Sequence, residues 1–198
     1  MNIEFNLFLG ETDVKKILIV GINGSPNKDG MGSTLLAETL AGAQIEGAEI
    51  KIVHLVDWMK RFHSGIFESR PAELEPLYEL MEEADGFVFS TPVQWFGPSD
   101  LMTSFINHLT AMEMDDFMLE GKVAGFIATC NEDGGQAACA KMMSALTHMG
   151  CLCPPYATLY HNSSMASGEN SWQNKDAGLI GKNLVKLARV TQRIDWGY

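Results

Sequence analysis

Three runs in this 198-residue sequence are almost wholly apolar: residues 17–22 (ILIVGI), 86–90 (GFVFS) and 123–129 (VAGFIAT). Each ends in a stretch rich in Gly, Ser, Pro or Asn, the pattern of a short strand buried on both faces. The segments between them carry helical spacing. Leu36, Leu40 and Ala43 share one face of residues 33–44, and residues 99–109 read as helix. Leu74, Leu77, Tyr78 and Met81 follow the i, i+3, i+4, i+7 rule, and Pro76 sets that helix's start because an interior proline would break it. Ala138, Met142, Ala145 and Met149 line another helix; Ile180, Leu184, Leu187 and Thr191 line the last. Residues 50–55 and 152–159 supply two more strands, the second interrupted by Pro154 and Pro155.

Strand and helix alternate five times, which calls for an α/β fold with a parallel sheet and helices on both faces. The strands also indicate their order. The three apolar runs are central. The second strand carries Lys51, a common guard of an exposed edge, and the fifth contains prolines that a central strand would reject. Two edges and three centres give a five-stranded, doubly wound sheet of order 2-1-3-4-5, the flavodoxin-like winding. Residues 15–198 form one such domain, preceded by an extension of residues 1–14. Ligands in such sheets sit beyond the carboxyl ends of the strands, where the winding reverses between strands 1 and 3.

Three loops therefore matter. The first runs from Gly24-Ser25-Pro26 to Met31-Gly32-Ser33-Thr34 at a helix start, where free N–H groups and hydroxyls suit an anion. It has neither the Lys of a phosphate-binding Walker loop nor the glycine spacing of a dinucleotide fingerprint. A capped helix after a glycine turn would look similar. The second, Thr91-Pro92-Val93-Gln94-Trp95-Phe96-Gly97-Pro98-Ser99, sets two aromatics between stiffening prolines. A flat ring ligand or a subunit contact would each use that surface. The third, Thr129-Cys130-Asn131-Glu132-Asp133-Gly134-Gly135-Gln136, alone would be an ordinary turn.

Composition removes several alternatives. Fourteen basic against 25 acidic residues leave a net charge of −11, which disfavours a groove for nucleic acid. No apolar stretch is long enough to span a bilayer, and the first residues lack the basic start of a signal peptide. A cytoplasmic protein without membrane partners is expected. Cys130, Cys139, Cys151 and Cys153 contain no Cys-x-x-Cys, and the five histidines are scattered, so no metal site is expected.

With these residues in view, the chain resembles the NADPH-dependent FMN reductase family of flavodoxin-like proteins, over about residues 16–193. Gly24-Ser25-Pro26 with Gly32-Ser33-Thr34 matches the family's opening, with Ser33 replacing the usual Asn. Thr91-Pro92-Val93-Gln94-Trp95-Phe96-Gly97 matches its second segment, with Gln94 replacing the usual Tyr, and Glu132–Gly135 resembles its third loop. Some relatives carry a cysteine-rich iron–sulfur segment after strand 2, whereas residues 56–70 contain no Cys.

The resemblance implies bound FMN, NADPH or NADH as electron donor, and a small acceptor such as a quinone, flavin, nitro or azo compound. Ser25, Met31, Gly32, Ser33 and Thr34 would hold the phosphate. Pro92, Val93, Gln94, Trp95, Phe96 and Gly97 would flank the ring, and Thr129, Cys130, Asn131, Asp133, Gly134 and Gly135 would close its other side. No catalytic side chain is assigned, because the flavin carries the chemistry. An electron carrier without nicotinamide activity and a non-enzymatic flavin sensor are the alternatives. A homodimer or higher homo-oligomer is expected, with Trp95, Phe96, Met102, Phe105 and Ile106 as surplus apolar surface. Met112, Met114, Phe117 and Met118 are interface or pocket residues, or pack within one subunit.

Overall fold

The computed structural model describes residues 16–60, 70–115, 117–165, 171–192, 194 and 196, with only the backbone of 171–176. The extension of residues 1–14 lies outside them, as do residues 61–69 of the stretch after the second strand. β1 (Leu18–Asn23) is buried along its whole length. It pairs in parallel with β2 (Glu49–His54) and β3 (Gly86–Gln94). β3 pairs in parallel with β5 (Val123–Cys130), and β5 with β6 (Thr158–Asn162). A two-residue β4 (Gly97–Pro98) runs antiparallel beside the end of β3. The path β2-β1-β3-β5-β6 is the expected flavodoxin-like order. Lys51 on β2 is exposed at one edge, and β6 forms the other.

Helices cover both faces. α1 (Met31–Ile45) and α7 (Ser171–Thr191) lie on one side, burying Leu36, Leu40, Ile180 and Leu184 against Ile19, Val88 and Ile127. The other side holds α3 (Glu75–Glu83), α4 (Asp100–His108) and α6 (Gly135–His148). There Tyr78, Phe105 and Met142 pack on Phe87, Phe89 and Phe126. A short α2 (Leu55–Trp58) follows β2, and α5 (Thr110–Met114) follows α4. Burying one such large side chain stabilises the fold by roughly 1.5–3 kcal/mol. α1 and α7 approach so closely that a Cβ on Gly42 would land on the Gly178 carbonyl, and one on Gly181 on the Thr39 carbonyl. Among the described residues, no helix is long and apolar enough to cross a membrane.

Four expectations need correction. The third strand does not stop at Ser90; it continues through Thr91 and Pro92 to Gln94, because its end finds partners in both β5 and β4. The sheet accordingly has a sixth, side strand. The fifth strand of the order starts at Thr158, not Leu152. Leu152 makes one bridge to Val123, then Pro154, Pro155 and Tyr156 (φ 60°) carry the chain out before it re-pairs. Finally, Met102, Phe105 and Ile106 are buried within the subunit, so they are not surplus surface; Met112 is buried too, the within-subunit packing that was one of its two expected placements. Of the four residues named in the methionine-rich connection, Met114 and Phe117 are exposed, while Met118 packs against the core.

Two core thiols make the fold sensitive to alkali. The Cys139 thiol faces the Leu159 carbonyl (3.5 Å) and the Cys151 thiol the Leu119 carbonyl (3.6 Å). Burial pushes both up to about 12, from an ordinary 9.0. The unfolded chain therefore releases these protons first as pH rises, so the stabilisation is complete below pH 9 and is lost as pH climbs towards 12. Denaturation midpoints should fall across that window, and the fall should shrink in Cys139→Ala and Cys151→Ala. An unchanged pH slope in both variants would refute this origin.

Candidate functional site

All three sequence-predicted loops meet at the carboxyl edge of the sheet. Loop 1 is threaded by hydrogen bonds that originate in Asn23, the last residue of β1, which is fully buried. Its Oδ1 accepts from the Ser25 N–H (3.0 Å), and its Nδ2 donates to Ser33 Oγ (3.0 Å) and lies 2.9 Å from His54 Nδ1. Ser25 Oγ then accepts from the Asn27 N–H, and Asn27 Oδ1 from the Asp29 N–H. Each side chain thus fixes the backbone two residues on, a chain of small turns. Outside, Lys28 pairs with Asp57 of α2 (2.6 Å), and that hydrogen bond holds the Asp57 carboxyl below its usual range.

The start of α1 is open. Gly30, its N-cap, offers no side chain to the first N–H groups, and the first turn contains no acid. Ser33 accepts from Asn23 and so retains its hydroxyl proton for donation. Thr34 is exposed, with its hydroxyl 3.5 Å from the Gly30 carbonyl. The unpaired N–H groups and positive helix end make this a place for an anion. Gly32 lies flat on the sheet edge: its carbonyl accepts from Ser90 Oγ (3.0 Å), and a Cβ there would meet that same oxygen at 3.1 Å.

Loop 2 is a hairpin. Trp95 (φ 45°) and Phe96 (φ 62°) form the two-residue turn between β3 and β4. Two left-handed central residues are ordinarily Asn-Gly, and bulky side chains there cost about 1–2 kcal/mol each. Such strain is found where a ligand or partner is met. Trp95 is 98% exposed and Phe96 61%. Gln94 does not face the cleft with them. Its Oε1 accepts from the Asp100 N–H (3.0 Å) at the start of α4, beside the N-cap Ser99, whose Oγ accepts from the Met102 N–H. Ser99 also donates to the Gly24 carbonyl (2.7 Å), tying loop 2 to loop 1.

Loop 3 closes the other side. Gly134 (φ 89°) lies against the hairpin, where a Cβ would meet Phe96 Cα and Val93 Cγ1 at 3.0 Å. Asn162 donates to the Glu132 carbonyl, and Ser163 donates to the Cys130 carbonyl and to Asn131 Oδ1, so the chain after β6 holds the loop from beneath. Between loops 2 and 3 opens a cleft of about 330 Å³ lined by Val93, Trp95, Phe96, Cys130, Asn131, Glu132 and Asp133. Burial raises the Cys130 thiol above its ordinary range, which keeps it protonated at neutral pH.

The structure therefore gathers Ser25, Met31, Gly32, Ser33 and Thr34 around the start of α1. It places Val93, Trp95, Phe96, Cys130, Asn131 and Asp133 in the cleft. Pro92 pairs with Thr129 in the sheet beneath, Gly97 forms β4, and Gly134 and Gly135 give close approach to Phe96 and Tyr160. Sequence reasoning missed Asn23, Ser90, Ser99, His54 and Asn162. The signal for Asn23 was available: a short amide closing an apolar strand just before Gly-Ser-Pro.

An open helix start where the winding reverses, beside a cleft with an aromatic wall, suits the flavodoxin-like flavin-dependent oxidoreductases. Residues 17–165 match the sequence profile of the NADPH-dependent FMN reductases, and the chain belongs to that family.

Similar proteins agree on the fold. An iron–sulfur flavoprotein of Archaeoglobus fulgidus is 24% identical over 198 residues, covering 89% of this chain and 98% of its own. The structure of RosB with bound 8-demethyl-8-formylriboflavin-5'-phosphate superposes with a TM-score of 0.74 at 21% identity, covering 89% of this chain and 80% of the other. An apo NADH:FMN oxidoreductase superposes with a TM-score of 0.66 at 21% identity, covering 89% and 90%.

The cysteines do not fit an iron–sulfur cluster, which is held by several thiolates. Residues 56–70 contain none. Cys139 and Cys151 are buried with their thiols on backbone carbonyls. Among the described residues, no three His, Cys, Asp or Glu side chains are grouped to hold a metal.

Proposed function

We propose that this protein is an FMN-dependent NAD(P)H oxidoreductase that passes electrons from a nicotinamide to a small acceptor such as a quinone, flavin, nitro or azo compound. The observation that carries the reading is the juxtaposition of the open α1 start with the aromatic cleft, a phosphate site and a ring site joined by hydrogen bonds. The NADH:FMN oxidoreductase among the similar structures supports the choice of donor.

The residues fit FMN. Backbone N–H groups at Met31 and Gly32, with the hydroxyls of Ser25, Ser33 and Thr34, would hold the phosphate. Val93, Trp95 and Phe96 would lie along one side of the ring, and Cys130, Asn131, Asp133 and Gly134 along the other. Bound FMN supplies the hydride and electron chemistry. The protein's own part is position: the Asn23 network fixes the anion end, and the Trp95-Phe96 turn gives the ring an apolar wall at the cleft mouth. In the same reading the exposed Trp95 and Phe96 contact a second copy of the chain in a homodimer.

Anaerobic mixing of the FMN-loaded protein with NADH and with NADPH tests the donor. Rapid bleaching by either is expected, with parallel double-reciprocal lines when donor and acceptor are varied, because one site serves both in turn. A flavin that no nicotinamide bleaches would reject the reductase and favour an electron carrier. Thr34→Val, which removes one hydroxyl near the charged oxygens, should weaken FMN binding by roughly 1.5–3 kcal/mol and leave riboflavin binding almost unaltered. Equal losses for both flavins would remove Thr34 from the phosphate site.

A further inference from the structure

His54 ends β2 and lies outside all three ligand loops, yet it touches the residue that organises loop 1. The Asn23 amide is oriented without ambiguity. The Ser25 N–H can only donate, so the atom it meets is Oδ1, and Nδ2 therefore faces Ser33 Oγ and His54 Nδ1. An amide NH₂ can only donate. His54 Nδ1 must accept, which requires a neutral ring with its proton on Nε2.

We propose that His54 is a positioning residue for the anion-binding loop, acting through Asn23 only while its Nδ1 is bare, so that FMN binding and protonation of His54 oppose each other. This rests on the FMN reading of the site. A proton on Nδ1 sets a donor against a donor at a fully buried amide. Rotating that amide to restore the contact would strand the Ser25 N–H and turn the carbonyl oxygen towards Ser33. Either way, the bonds that hold Ser25 and Ser33 together loosen. FMN, which needs both, binds less well, and by reciprocity bound FMN makes His54 harder to protonate.

Asp57, on the helix that follows β2, interacts with the imidazole, and Lys28 from loop 1 and Lys60 act on Asp57 in turn. The Asp57 carboxylate is already paired with Lys28. A bound phosphate would favour the imidazolium through space. The sign of the coupling therefore separates the hydrogen-bond account from simple attraction.

The test is the FMN dissociation constant of apoprotein between pH 5.5 and 8.0, for the wild type and for His54→Asn, whose amide oxygen can accept near the Nδ1 position but takes up no proton. The phosphate's own ionisation, near pH 6, affects both proteins alike, so their ratio isolates His54. The wild-type constant should rise about tenfold relative to the variant's as pH falls. A flat ratio, or one that moves the other way, would overturn the proposal while leaving FMN binding intact.

NMR titration of the His54 ring, with and without FMN, needs no variant and holds even where His54→Asn fails to fold. A lower pKa in the loaded protein supports the proposal, and a higher or equal one overturns it. Failure of the wild type to bind FMN at pH 8.0 would overturn the FMN reading itself, and this proposal with it.

Discussion

Gly42→Val is expected to destabilise the protein by about 3 kcal/mol or more, beyond the usual range for overpacking. Most overpacked sites relax because a flexible side chain moves aside. Here the obstacle is backbone: the new Cβ would land on the Gly178 carbonyl, and neither helix can shift without opening the face built on Leu36, Leu40, Ile180 and Leu184. Gly181, opposite Thr39, is in the same position. The loss would extend to the site, because α1 carries Met31, Gly32, Ser33 and Thr34 at its other end. Chemical denaturation should show a lower midpoint with an unchanged slope. A midpoint within experimental error of the wild type would mean that the two helices are not in register at these glycines.

Asn23→Leu should act chiefly on ligand binding. The replacement is close in size, so β1 keeps its packing, but three hydrogen bonds made by a fully buried side chain vanish. Stranding a buried polar group costs about 1–3 kcal/mol, and the Ser25 N–H and Ser33 hydroxyl are both released from their positions. FMN affinity should fall about a hundredfold or more, with a smaller loss for riboflavin, which does not use those groups. Fluorescence titration with both flavins reads this directly. Equal losses would show that Asn23 supports the fold of the whole edge, not the anion site.

The fold was legible wherever burial is two-sided. β1, β3 and β5 announce themselves as apolar runs because no face of a central parallel strand meets water. β2 was marked as an edge by Lys51. The hairpin was hidden, because Trp95-Phe96 is not a turn dipeptide and Pro92 and Pro98 argue against strands. Its geometry is imposed by β5 on one side and by Gln94 and Ser99 at the start of α4 on the other. The same contact accounts for Gln94, whose short amide reaches the Asp100 N–H.

Met102, Phe105 and Ile106 illustrate the opposite error. Their i, i+3, i+4 spacing is a core-facing stripe, and the apparent surplus of surface was the subunit's own interior. That the three loops of the candidate site would meet at one sheet edge was readable, because glycines and hydroxyls at strand ends carry a local meaning. The Asn23–His54 contact was not readable, because it joins residues 31 positions apart through the sheet register.

Titration of the apoprotein with FMN and riboflavin under identical conditions tests the central claim most directly, since the two ligands differ only in the phosphate that the α1 start is proposed to hold. FMN should bind at least about a hundredfold more tightly, or roughly 2.7 kcal/mol, the contribution of one to two charge-assisted hydrogen bonds. Equal affinity for the two flavins would contradict it.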